Sequence, residues 1–257
     1  MRAASFSFRI PDRFRQVAGF QVAGTGDAPL AYLRQCEWEF DAIASVLPRH
    51  PRRVLDLGCG LGRASVYLNA CLPGEPIHFV LADTSAHTGD GPKAGWDPGD
   101  DFYNDLEWTT EFVRDHGVTR FETFDILRDD WSRLREIDLV LSLLAVGFHF
   151  PVENAMPHLL EATTADCTMI FGARAGRYSR WSFRDRFRDV RVLRGEPRHP
   201  SYTKEHFLVL RGRRDRVAPL GLRVLWHLLD RAAAGSYRAE AAVSRRARRL
   251  LGRFIRP

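Results

Sequence analysis

Lysine is nearly missing from this chain of 257 residues. Only Lys93 and Lys204 occur, and arginine supplies the rest of the 38 basic side chains. That bias fits genome composition as readily as function. Cysteine is sparse as well: Cys36, Cys59, Cys71 and Cys167 stand apart, with no CxxC and no paired spacing. A disulfide scaffold and a cysteine-built zinc site are therefore not expected, and the four read as reduced thiols of a cytoplasmic protein. No uncharged apolar run approaches the roughly 18 residues of a membrane span, and Met1-Arg2-Ala3-Ala4-Ser5-Phe6 lacks the continuous apolar segment of a secretory signal. No internal repeat is present.

Charge is lacking from most of the chain in another sense. The formal net charge is +6, yet residues 231–257 carry eight arginines against a single acid, Glu240. That segment is +7, and residues 1–230 sum to −1. A nucleic-acid groove needs basic residues lining the working face, so no nucleic-acid partner is expected.

What is present is a patterned α/β sequence of a length that suits one sizeable domain with appendages. Residues 1–29 are polar and interrupted by glycine, with Phe6, Phe8, Phe14 and Phe20 as anchors, and read as an arm over the domain. Residues 30–47 place Leu33, Cys36, Phe40, Ile43 and Leu47 near one helical face before Pro48 stops the helix. The core domain is taken as 30–216 and a helical extension as 217–257. Beyond Pro48, apolar runs alternate with helical stretches, which predicts a parallel sheet.

The decisive run is Val54-Leu55-Asp56-Leu57-Gly58-Cys59-Gly60-Leu61-Gly62-Arg63. A strand ends in a glycine turn that opens a helix, so backbone without Cβ atoms can approach a ligand closely. A dinucleotide fingerprint reads G-x-G-x-x-G/A. Gly58 and Gly60 fit it, but Arg63 stands at the third, small position, and Asp56 precedes the first glycine. An NAD-linked enzyme is thereby disfavoured.

The run resembles the first motif of class I S-adenosylmethionine (SAM) methyltransferases, an apolar strand followed by D/E-x-G-x-G-x-G. Three later landmarks extend the resemblance over about residues 30–211. Ile77–Ala82 is a strand ending in Asp83, near the distance at which an acid accepts ribose hydroxyls. Arg120–Phe124 is followed by Asp125-Ile126, and Ile137–Ser142 is a fourth strand. The resemblance implies SAM as cofactor. It implies a site of Asp56, Gly58, Cys59, Gly60, Gly62, Asp83, Thr84, Asp125, Ile126 and Ser142, with Asp125 on the adenine amino group and the Ile126 N–H at the ring. It also implies a Rossmann-like, seven-stranded, mostly parallel sheet with helices on both faces and an antiparallel final pair. Val190–Leu193 and His206–Leu210 read as that pair, and Cys167–Gly172 as the fifth strand. Where the family usually has Pro-Gly-Gly before strand five, this chain has Thr164-Ala165-Asp166, read as a turn.

Ligands of open α/β sheets bind beyond the carboxyl ends of the strands, so the acceptor approaches over Ser142–Pro151. His149 lies there as a candidate general base for a hydroxyl acceptor; a structural histidine is the equal alternative. Glu37 and Glu39 could reach the cofactor amino group or the acceptor, or be solvated helix charges. Arg174 could pair with an anionic substrate or sit on the surface. The long connection 84–108 begins a helix near Phe102–Leu106, where Tyr103 and Asn104 could face the site. Its Asp90, Asp97, Asp100, Asp101 and His87 match no metal loop, and no metal site is expected.

Residues 238–257 combine Val243, Ala247, Leu250, Leu251 and Phe254 at helical spacing with an arginine flank, a pattern suited to an anionic membrane surface at the inner face. Docking on the body or on a partner remains the competing reading. Ser142–Pro151 and the Asp/Asn/Trp-rich loop resemble bacterial sugar O-methyltransferases, which implies a carbohydrate acceptor. The alternative is a non-catalytic SAM-fold module acting through its basic tail.

Overall fold

The structure is a computed structural model. It describes residues 6–15, 17–18, 28–72, 74, 76–85, 104–147, 152–174, 182–194 and 205–214.

Seven strands form one sheet: β1 (Arg53–Leu57), β2 (His78–Asp83), β3 (Phe121–Asp125), β4 (Ile137–Ser142), β5 (Thr163–Arg174), β6 (Phe187–Arg194) and β7 (Glu205–Arg213). Their order is β3-β2-β1-β4-β5-β7-β6. The first five are parallel, while β7 runs antiparallel to both β5 and β6. The helices are α1 (Ala28–Ile43), α2 (Arg63–Cys71), α3 (Leu106–Asp115) and α4 (Val152–Ala162). This is the expected mostly parallel, Rossmann-like sheet, and 3-2-1-4-5 is the doubly wound order.

Alternation along the central strands decides which helix covers which face. Val54, Phe79, Leu81, Leu139 and Leu141 pack in one core with residues of α1, α2 and α3. Leu55, Leu57, Val80, Ala82 and Val140 point the other way and pack with Val152, Ala155, Met156 and Leu159 of α4. Helices therefore lie on both faces, as right-handed crossovers from β1 outward in both directions require.

The segment before α1 adds to the first core. Phe8, Ile10, Phe14, Val17 and Ala18 are buried there. Phe8 meets the Tyr32 and Phe112 rings, and Phe14 meets Trp108, so the segment runs along α3.

Local chemistry moves several expected boundaries. The helix expected over 30–47 spans Ala28–Ile43, then tightens into a 3-10 turn at Ala44–Val46 ahead of Pro48. α3 begins at Leu106, where the Asp105 carboxylate caps it by accepting from Glu107 N. The turn expected at Thr164-Ala165-Asp166 lies within β5. Pairing with β4 jumps from Ile137↔Thr163 to Leu139↔Thr168, so the extra residues form a bulge. The Thr163 hydroxyl donates to Leu159 O at 2.6 Å, and α4 passes straight into the strand.

Candidate cofactor site

Strand β1 lies between β2 and β4, and the chain leaves its two flanks toward opposite faces. In open α/β sheets the ligand lies at such a switch point, beyond the carboxyl ends of the strands. The glycine turn sits there. Gly58 N and Cys59 N both donate to Ala82 O, at 2.7 and 3.1 Å, and Gly62 N closes the turn on Cys59 O at 2.8 Å. Gly58, Gly60 and Gly62 have φ of 73°, 54° and 82°, a region glycine enters without penalty. Two of them also lack room for more: a Cβ on Gly58 would lie 2.1 Å from Ala145 Cβ, and one on Gly62 would lie 2.6 Å from Val113. The loop after β4 thus rests directly on the turn after β1.

The three acids share one face of the sheet. Asp83 and Asp125 are register partners on β2 and β3. Asp56 pairs in register with Leu81, two residues below Asp83. All three are buried, and they differ in what they hold. Asp83 accepts from Gly60 N (2.7 Å) and Thr84 N (2.8 Å), and among the described residues no ion pair reaches it. Burial pushes its carboxyl up to about 6, opposed by those two amides, and the nearby Asp56 and Asp125 push the same way as burial. Asp56 points into the helix layer, accepts from the Ser65 hydroxyl at 2.7 Å, and is likewise pushed up to about 6 by burial. Asp125 accepts from Leu127 N at 3.0 Å, with Arg128 3.7 Å away.

Other expected site residues turn out to be braced within the chain. Ile126 N donates to Asp83 O at 2.9 Å, so the N–H assigned to an adenine ring is already engaged. The Ser142 hydroxyl donates to Leu57 O at 2.7 Å and accepts from Val146 N at 2.9 Å, shut away from solvent; it pins the β4 loop to β1. Thr84 is buried beside Asp83. The Cys59 thiol is buried in the turn, which pushes its titration well above the ordinary value and keeps it neutral.

Glu39 is the clearest departure from its sequence reading. It is fully buried and takes Arg63 with both oxygens, at 2.9 and 2.5 Å, with Gln35 on one of them at 2.8 Å. It is neither a solvated charge nor free for a cofactor amino group. The same pair answers the anomaly of Arg63 at the small position of a dinucleotide fingerprint. The guanidinium is directed into α1 and neutralised there. The sequence does carry the signal: Glu39 falls inside the stripe of Cys36, Phe40 and Ile43, where an acid demands a buried partner.

The sequence reading passed over Thr109. Its hydroxyl donates to Gly60 O at 2.6 Å, beside the Asn104 amide at 3.0 Å. His149, Phe148, Phe150, Tyr103, most of the 84–108 connection and the segment 217–257 lie outside the described residues, as does the Arg174 side chain. Among the described residues there is no cluster of metal-binding side chains and no helix long and apolar enough to cross a membrane.

No protein-family model and no curated protein matches the chain. Solved structures do. A precorrin-6y C5,15-methyltransferase of Geobacter metallireducens is 9% identical, over 68% of this chain and 88% of its own, with a TM-score of 0.47. The CurJ carbon methyltransferase is 12% identical over 79% and 61%, with a TM-score of 0.46. The plantazolicin methyltransferase BpumL, solved with S-adenosylhomocysteine (SAH), is 16% identical over 64% and 54%, at 0.41. All three are methyltransferases. The chain spans only 54–61% of the length of several structures it matches.

Proposed function

We propose that the chain is a SAM-dependent methyltransferase that acts on a hydroxyl of a small molecule, a sugar or a lipid-linked glycan. One observation carries this reading: Asp83, buried and without an ion-pair partner among the described residues, flanks a glycine turn in which no Cβ would fit on Gly58 or Gly62. Such a cradle suits a cationic ligand bearing hydroxyl donors, and a carboxylate lifted by burial gains from both.

When bound, SAM supplies a methyl carbon on a positively charged sulfur, already activated for displacement. The chain's own work is to bind, align and exclude water. Asp83 would take ribose hydroxyls, Asp125 the adenine amino group, and the Gly58–Gly62 turn would lie against the methionine part. Ser142 holds the acceptor side by fixing the β4 loop to Leu57 and Val146. His149, two residues beyond Gly147, would receive the hydroxyl proton on an imidazole nitrogen. The arginine-rich stripe of 238–257 supports peripheral attachment to an anionic inner membrane surface, close to a lipid-linked acceptor.

Calorimetric titration with SAM, SAH and NAD comes first, followed by a labelled-methyl transfer screen on carbohydrate and lipid extracts. Tight SAH binding with labelled product is expected, and His149→Ala should lower turnover while SAH affinity holds. Preference for NAD overturns the reading. SAH binding with no transfer to any extract favours the non-catalytic module instead.

A further inference from the structure

Asn104 precedes the Asp105 cap of α3 and is 2% exposed. Its Nδ2 donates to Gly60 O at 3.0 Å and to Thr109 Oγ1 at 3.1 Å. Gly60 O can only accept, so the amide cannot be turned over without setting oxygen against oxygen. The orientation is therefore fixed by chemistry. Its other end, Oδ1, is buried and has no hydrogen-bond partner among the described residues. Buried carbonyls are seldom left so, because each forfeits its hydration for nothing.

The position of this orphan matters more than its existence. Gly60 offers its carbonyl to Asn104 and its N–H to Asp83 Oδ2, the latter at 2.7 Å. Gly60 thus meets two buried side chains of the site, one at its N–H and one at its carbonyl. Thr109 steadies the arrangement by donating to the same carbonyl. Two acceptor-bearing side chains anchored on one glycine suit a ligand with two neighbouring hydroxyl donors.

We propose that Asn104 is a cofactor-binding residue whose Oδ1 accepts one hydroxyl of the ribose diol while Asp83 takes the other. The assignment rests on the SAM reading of the site.

Calorimetry on the full chain tests it with SAH, 2′-deoxy-SAH and 3′-deoxy-SAH. Wild type should prefer SAH over both analogues. Asn104→Ala should lose about tenfold or more in SAH affinity, as for a buried hydrogen bond, and should cease to discriminate against one of the two analogues. Thr109→Val loosens the same carbonyl but leaves Oδ1 in place, so it should weaken all three ligands alike and keep the preference. A second measurement needs no variant. In asparagine-labelled wild type, the Asn104 side-chain carbonyl carbon should shift downfield with SAH and not with one deoxy analogue. Undiminished discrimination in Asn104→Ala, or equal carbon shifts with all three ligands, overturns the assignment alone. Failure of wild type to bind SAH overturns the cofactor reading, and the assignment with it.

Discussion

At the lower end of α3, where the helix leads into β3, His116 is half-buried and both ring nitrogens are engaged. At the upper end, beside the glycine turn, Asn104 is buried more deeply and one polar atom has no partner among the described residues. His116 Nδ1 meets Phe112 O at 2.8 Å; a carbonyl only accepts, so Nδ1 bears the proton. Nε2 is then an acceptor, and Arg9 N donates to it at 2.9 Å. One tautomer satisfies both contacts. The upper end holds instead an unmatched carbonyl and two acids, Asp56 and Asp83, lifted by burial. The same helix is anchored below by matched polar groups that serve the fold. Above, it borders one carbonyl with no partner among the described residues and two buried acids with hydrogen-bond donors but no ion pair among those residues. Groups perturbed by burial cluster at functional sites, and the proposed cofactor site lies at this end.

The sharpest way to break this comparison is through the one charged pair at the upper end that is matched. Glu39→Ala leaves Arg63 buried without a counter-charge. It should cost roughly 3–5 kcal/mol in urea unfolding, while Glu39→Gln, which keeps hydrogen-bond acceptance, should cost less. A loss below about 1 kcal/mol for the alanine variant would mean that the guanidinium escapes to water. The distinction between matched and unmatched groups at this end would then fail.

How much of this was legible in the sequence follows from the range of each interaction. The strands were readable because period-two alternation is local. Leu139, Val140 and Leu141 announce their faces without reference to anything distant. The glycine turn was readable for the same reason: its backbone requirement lies in five consecutive residues. The Thr164–Asp166 bulge was not, because it depends on the register of β4 and on a threonine hydroxyl returning to Leu159. Ser142 was placed at the correct strand end and given to a ligand. Its two partners, Leu57 and Val146, are visible only once β1 and β4 lie side by side. Asn104 could be singled out by its place at a loop–helix junction. Its fixed amide and orphaned oxygen needed Gly60, 44 positions away.

A smaller effect sharpens the comparison by its sign. Asp56 rises from 3.8 to about 6 on folding, so between about pH 4 and pH 6 the folded chain holds a proton that the unfolded chain has lost. This contribution favours folding in acid and disappears as pH rises through 6, by on the order of 3 kcal/mol. Asp56→Asn keeps a partner for the Ser65 hydroxyl, which can rotate to accept. It should therefore raise the thermal midpoint much more at pH 7.5 than at pH 4.5. Equal shifts at the two pH values would show that Asp56 ionises as an ordinary acid.

The lower end of α3 should respond to pH in the opposite direction. Burial lowers the His116 titration below its usual 6.5, opposed by the Phe112 carbonyl and by Asp115, with Arg9 adding to the lowering. The unfolded chain therefore takes up its proton first, and stability falls as pH drops through 6.5. Protonation puts a second N–H on Nε2, facing the Arg9 N–H that it had accepted. The lost contact is worth about 0.5–1.5 kcal/mol, while the buried Phe8 and Phe14 rings and the Arg13–Glu111 pair still hold the rest of the segment. Hydrogen exchange at the Arg9 amide should therefore quicken, beyond the intrinsic pH trend, between pH 7.5 and pH 5. In His116→Gln a side-chain carbonyl replaces the ring acceptor, and the extra quickening should vanish. If Arg9 exchange follows only the intrinsic trend in wild type, Nε2 is not its acceptor. The lower end would then have an unmatched group of its own, and the contrast along α3 would no longer separate fold from site.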